Sequence, residues 1–116
     1  MTLDDDWLIF SVIYDVNQIV EQSMIDQEIK EIAEIHGLIV KPSTHKNKKL
    51  DVYTDGGRFL ASIGDDRYKD FWYYRKINKE LANQRRDAYY RRHHKDIDHL
   101  AGSLAYLLLW DGSFQF

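Results

Sequence analysis

Apolar positions change period twice along the chain, and each change marks a different kind of element. Leu8, Val12, Val16, Ile19 and Val20 recur at helical spacing behind Asp4, Asp5 and Asp6, whose carboxylates suit the positive end of a helix. Ser23 can cap a second helix with Asp26 three residues later; Ile25, Ile29, Ile32 and Ile35 then line one stripe, with Glu21, Glu28, Glu31 and Glu34 mostly elsewhere. His36-Gly37 is a plausible stop. Leu38, Ile39 and Val40 read as a short strand ended by Pro42, and residues 43–49 are polar, basic and loop-like. Residues 50–54 and 58–63 read as the two strands of a hairpin, because Asp55-Gly56-Gly57 between them tolerates the positive φ of tight turns.

Helical spacing returns after Gly64-Asp65-Asp66. Tyr68, Phe71, Trp72, Tyr73 and Tyr74 form an aromatic cluster with Asp70 as a candidate cap. Residues 77–95 contain neither Gly nor Pro, and Ile77, Leu81, Ala88 and Tyr89 mark an apolar stripe on an otherwise charged helix. Gly102-Ser103 predicts a break and a new cap before residues 104–110, which are apolar on all sides and so expected to be buried. Leu108 and Trp110 are expected in the core, with Tyr53 against them. The fold class predicted is α+β: N-terminal helices, a central β-hairpin, a C-terminal basic helix and a buried apolar terminal helix. Residues 1–116 are expected to form a single domain, with an acidic helical part at 1–40 and the hairpin and basic helix within 48–116.

Composition narrows this further. At 116 residues and 44% hydrophobic content there is material for one core and no room for a second. The absence of cysteine excludes disulfides and thiolate metal sites. Residues 7–13 and 104–110 are the longest apolar stretches, far short of what a bilayer core of about 30 Å requires, and no basic segment precedes an apolar N-terminal run. No membrane partner is therefore expected. Charge is divided unevenly: residues 1–40 carry nine acids against one base, residues 41–116 fifteen bases against ten acids, and these charges of -8 and +5 make the net -3. Such a chain can offer its basic part to a polyanion while its acidic part faces solvent, another protein or a second copy in a homo-oligomer.

The strongest local signal is the stretch at 85–95. Arg85, Arg86, Arg91, Arg92 and Lys95 suit phosphate oxygens, and Tyr89 and Tyr90 between them can stack on bases, which makes these seven residues the candidate polyanion site. Helical spacing puts Arg85, Arg92 and Lys95 on one broad face near Tyr89, with Arg86 and Tyr90 around the cylinder. The competing reading is a solvated helix ion-paired with Glu80, Asp87, Asp96 and Asp98. His93, His94, Asp96, Asp98 and His99 are of metal-ligating types, but without a paired His-x-x-x-His they read as a helix C-terminus, where histidine suits the dipole. Glu28-Ile29-Lys30 resembles the end of a carboxylate-x-lysine nuclease motif but falls on a predicted helix, and a histidine-metal nuclease would want a histidine beside the hairpin, which contains none. With no phosphate loop, nucleophile elbow or cysteine nucleophile, neither enzymatic activity nor a cofactor is expected.

The second half of the chain resembles a group of small uncharacterised proteins of tailed phages and large DNA viruses. The resemblance covers residues 48–110 and rests on Asp51-Val52-Tyr53 with Gly56, and on Ser62-Ile63-Gly64 followed by Tyr68 and Asp70. It continues through Arg86 and Tyr90 to Arg92-His93 and Lys95-Asp96, and through Gly102-Ser103 to Leu108-Leu109-Trp110. Leu104-Ala105-Tyr106-Leu107 departs from the bulkier aromatic and charged pattern before the closing Leu-Trp. The resemblance implies a viral context and carries no established activity. The expectation drawn from it is a non-enzymatic, virion-associated structural or packaging component, located in the virion or host cell cytoplasm, with capsid or another virion protein as partner. The apolar Phe114-Gln115-Phe116 suits a neighbour's groove. The alternatives are a nucleic-acid-binding accessory protein, with DNA or RNA as partner to the basic helix, and a small metal-dependent nuclease.

Overall fold

The computed structural model describes residues 25–113, in the order α1 (Gln27–Ile35), β1 (Leu38–Pro42), β2 (Lys48–Thr54), β3 (Phe59–Asp65), α2 (Phe71–Ile77), α3 (Lys79–His93) and α4 (Leu100–Leu109), with a 3-10 turn at Asp96–Asp98 before α4. The helix expected over residues 4–20, the Ser23 cap and the apolar residues 114–116 lie outside the described residues. Helices and a three-stranded antiparallel sheet make this an α+β fold.

β1 joins the expected hairpin as a third strand in the order β1-β2-β3. Val40, Val52 and Ala61 stand opposite one another, as do Leu50 and Ile63, so the period-two alternation delivers one apolar row to the inner face. Pro42 ends β1 at an outer strand, where a missing N–H costs no ladder bond. At the hairpin turn only Gly57 takes a positive φ, +91°; its N–H donates to the Thr54 carbonyl at 2.9 Å, and Thr54 N–H donates to Arg58 at 2.8 Å. Gly56 does not need the left-handed region. An irregularity between Val52 and Tyr53 puts Tyr53 opposite Phe59.

α1 packs on β1 and α4 on β3, and the two helices touch each other across the inner face. Ile29 and Ala33 are the buried positions of α1, whereas Ile35 is 79% exposed, so the predicted isoleucine stripe turns away at its end. Asp26 occupies the N-cap position itself, and its carboxylate receives the Lys76 ammonium at 2.7 Å. The apolar segment is buried as expected: Leu104, Leu108 and Trp110 all lie in the core. Tyr53 does not join them, because alternation sends it to the opposite face of the sheet, where it meets the Phe59 ring edge-on at 5.6 Å.

Two helix boundaries differ from the sequence reading. The helix expected from Ile77 to Lys95 starts only at Lys79: Asn78 is extended, its N–H closing α2 on the Tyr74 carbonyl at 2.9 Å and its side-chain oxygen capping α3 at Leu81 N–H at 3.0 Å. Ile77 therefore ends α2 with 62% exposure, and the buried position of α3 is Ala82. Gly102-Ser103 does not break the chain either. Both lie within α4, which starts after His99. The Asp70 cap appears as expected, accepting from Trp72 N–H at 3.1 Å and Tyr73 N–H at 3.3 Å. α2 is then tied to α4 through the Trp72 indole, which donates to the Leu108 carbonyl at 2.9 Å and so satisfies one of the acceptors every helix end leaves open.

Candidate functional site

A cleft of about 680 Å³ opens between α3, the loop after β3 and the end of α4. That size lies within the range of ligand sites. Its α3 wall is built by Arg85, Tyr89, Arg92 and His93, whose spacing of four, three and one places them along one face. Tyr68, Lys69, Asp70 and Tyr74 form the facing wall, Lys49 and Asp65 contribute from the sheet, and Leu109 and Trp110 form the floor. Burial accounts for the floor. Trp110 must leave water, and Tyr89 stacks on it at 4.6 Å with rings 16° apart. Tyr89 also stacks on His93 at 4.5 Å, and its hydroxyl is pushed above the ordinary tyrosine value first by burial and then by the nearby Asp96 carboxylate.

Both acids of the cleft are already engaged. Asp70 caps α2 and takes the Lys49 ammonium at 3.3 Å. Asp65 is gripped by the Arg67 fork at 3.0 and 2.7 Å, and that hydrogen bonding holds its carboxyl down to about 2. Lys69, Arg85 and Arg92 form no ion pair with any carboxylate among the described residues. Arg85 instead lies over the Tyr74 ring at 5.0 Å and Lys69 over the Tyr73 ring at 4.9 Å, contacts that orient a cation without neutralising it. The cleft is thus a cationic slot with aromatic walls, and Tyr68 presents a ring at its rim with 66% exposure.

Of the seven residues singled out in the sequence, the cleft gathers Arg85, Tyr89 and Arg92. Arg86 is drawn elsewhere: it donates to the Asp111 carbonyl at 3.2 Å and to Asn83 at 3.1 Å, and its guanidinium lies over Phe71 at 5.0 Å. Tyr90 packs on Tyr106 at 5.4 Å, and Arg91 and Lys95 are exposed outside the cleft. Lys49, Lys69, Tyr68 and Tyr74 join the site through tertiary packing. The possible metal ligands do not assemble: His93 Nδ1 meets Asp96 at 3.1 Å and His94 Nδ1 lies 3.2 Å from the Arg91 carbonyl oxygen, while no three such residues converge among the described residues. Glu28 and Lys30 lie on α1, as the sequence predicts.

A second polar cluster was not visible in the sequence. Asp51 faces outward from β2, directly opposite Ser62, and its carboxylate accepts from the Ser43 and Ser62 hydroxyls at 2.6 Å each and from Thr44 N–H at 3.4 Å. His45, from the loop before β2, brings an imidazole beside the hairpin after all, with Nδ1 3.2 Å from Asp51 and 2.9 Å from the Ser62 hydroxyl. A hydrolytic triad uses one ring nitrogen for the carboxylate and the other for the nucleophile. Here the same nitrogen faces both, and both serines donate to the carboxylate, so the cluster is a hydrogen-bonded pin holding the β1–β2 loop on the sheet. Burial opposes ionisation of Asp51, but the two serines, His45 and Thr44 outweigh it and hold the carboxyl down to about 2.

A stability prediction follows with a definite sign. Because the folded value lies below the unfolded one of 3.8, the unfolded chain binds the proton more readily, and this carboxylate stabilises the fold above about pH 4. The contribution, about 1–2 kcal/mol after allowing for water reaching the cluster at His45, is lost as pH falls from about 4 to 2. Urea titrations of the wild type and of Asp51→Asn should differ most at neutral pH and converge toward pH 2. A difference that does not narrow would refute this role.

Compared with known proteins, the chain matches no family model, no curated protein and no solved structure. No helix among the described residues is long and apolar enough to cross a membrane.

Proposed function

We propose that this protein acts by binding, without catalysis, and that the ligand of its cleft is a nucleic-acid strand. The observation that carries this reading is the convergence of Lys69, Arg85 and Arg92, none paired with an acid among the described residues, on a slot walled by Tyr68, Tyr74, Tyr89 and Trp110. Cations of this kind take phosphates, and the exposed Tyr68 ring at the rim takes a base, while Tyr89, stacked on both His93 and Trp110, backs the slot. Resemblance of residues 48–110 to phage and large-DNA-virus proteins supports a viral setting for it, in the virion or the host cytoplasm. A virion-associated packaging role, with capsid protein as a further partner, is the second reading, and that resemblance is what favours it. Protein detected in purified virus particles would favour the packaging role; its absence from them would leave a nucleic-acid-binding accessory protein.

Salt titration tests the binding itself. The three cations of the cleft, meeting three phosphates of a single strand, contribute about -2 to the log–log slope of affinity against salt. Arg85→Ala and Arg92→Ala should each flatten it by about 0.7, whereas Arg86→Ala, whose guanidinium is held by Asp111, should leave it unchanged. No binding to single-stranded DNA, RNA or duplex at low salt would overturn the proposal.

A further inference from the structure

The outer face of the sheet, opposite the one covered by α1 and α4, carries the pinned β1–β2 loop over Asp51 and beside it a row of apolar and aromatic side chains. Ile39, Tyr53 and Phe59 stand side by side across the three strands. Phe59 is 48% exposed and Ile39 38%. The Phe59 ring meets Tyr53 edge-on at 5.6 Å and His45 at a tilt at 5.8 Å, and Lys41 Nζ sits 5.3 Å from the ring of the half-buried Tyr53. Lys41 reaches over the row, Lys46 is exposed in the β1–β2 loop next to His45, and Arg58, next to Phe59, and Asp55 are exposed at the hairpin turn; none of these four is in an ion pair among the described residues. Asp51, the acid of the face itself, is shielded beneath Ser43, Ser62 and His45.

We propose that this face is a second contact for nucleic acid, one that stacks unpaired bases on Phe59 and Tyr53 while Lys41, Lys46 and Arg58 take the adjoining phosphates. Charge decides the occupant. A protein partner for an apolar row is best met where charge is depleted, whereas three exposed cations against one exposed acid border this row, which so complements a polyanion carrying flat apolar groups. Bases within a duplex keep their faces stacked on each other, so this surface accepts single strands and makes the protein prefer them. The inference rests on the nucleic-acid reading of the cleft and deepens it by naming the strand form.

The test pairs substitutions on the two surfaces and measures affinity for a single-stranded oligonucleotide, in DNA and RNA versions, and for the same sequence as duplex. Phe59→Leu and Tyr53→Leu keep an apolar side chain but remove the ring. Each should lower single-strand affinity about 5- to 100-fold, with the salt slope and duplex binding unchanged. Phe59→Trp should restore affinity, which a merely structural role for Phe59 would not produce. Bromouracil-substituted strands irradiated on the wild-type protein should cross-link at Tyr53 or Phe59, a readout that does not depend on how the variants fold. Wild-type affinity in both leucine variants, with no cross-link at these residues, overturns the inference even if Arg85→Ala and Arg92→Ala flatten the slope as the cleft requires. The converse pattern, loss in the ring variants with an unchanged slope in the arginine variants, overturns the cleft and leaves the sheet face standing. Absence of any binding by the wild type removes both.

Discussion

Trp110→Ala is expected to destabilise the protein by about 3–5 kcal/mol, the cost of truncating a large aromatic in a core that cannot collapse onto the gap. Trp110 is 8% exposed, ends α4 and belongs to the same cluster as Leu104, Leu108 and Val52. Its ring also backs Tyr89, so this one side chain joins the floor of the cleft to the core. Urea denaturation followed by circular dichroism measures the loss. A change near zero would place residues 104–110 on a binding surface and not in the core. Trp110→Phe, which keeps a ring under Tyr89, should recover much of the stability.

Gly102→Ala should have the opposite sign from the usual rule. In a helix interior this exchange normally stabilises by a few tenths to about 1 kcal/mol, because glycine has more freedom to lose. A Cβ at Gly102 would instead overlap the Asp96 carbonyl, which belongs to the backbone of the preceding 3-10 turn and cannot rotate aside. The expected loss is about 3 kcal/mol, at the upper end of overpacking costs. Thermal unfolding of this variant beside Ala101→Gly, at an exposed position one residue earlier, separates the two effects. A stabilised Gly102→Ala would mean that α4 and the turn do not approach in this way.

That glycine illustrates what sequence reading could and could not reach. The hairpin was legible because turn residues and flanking alternation are local, and so was the Asp70 cap, a carboxylate directly before a helical run. Gly102 predicts a break and lies inside a helix, because propensity describes a helix in isolation whereas this glycine answers to the neighbouring Asp96 turn. Asn78 was missed for a related reason: asparagine in a charged stretch carries no signal as strong as Gly or Pro, and only the paired hydrogen bonds reveal that it ends one helix and starts the next. Of the site, spacing sets Arg85 and Arg92 on one face near Tyr89, but it sets Lys95 there too, and Lys95 lies beyond the end of α3 at His93 and outside the cleft. That Asp111 removes Arg86, or that Asp51 stands opposite Ser62, depends on contacts and register far apart in sequence. Tyr53 shows the cost of lacking that register, since the sequence sets it against Leu108 and Trp110 and it lies on the other side of the sheet.

The single extended residue at Asn78 also governs where this protein can change length. Each residue added to a helix turns everything beyond it by about 100° and advances it by about 1.5 Å. One insertion between Asn78 and Arg85 would swing the whole row of Arg85, Tyr89 and Arg92 off the cleft and carry another quarter of the helix into it, while α2, anchored by Trp72 on α4, stayed in place. The turn at residues 55–58 has no such lever, because extra residues there add loop without rotating either strand. An added residue at the hairpin tip should therefore leave the cleft row in place, whereas the count of residues from Asn78 to Arg92 fixes which side chains face the cleft.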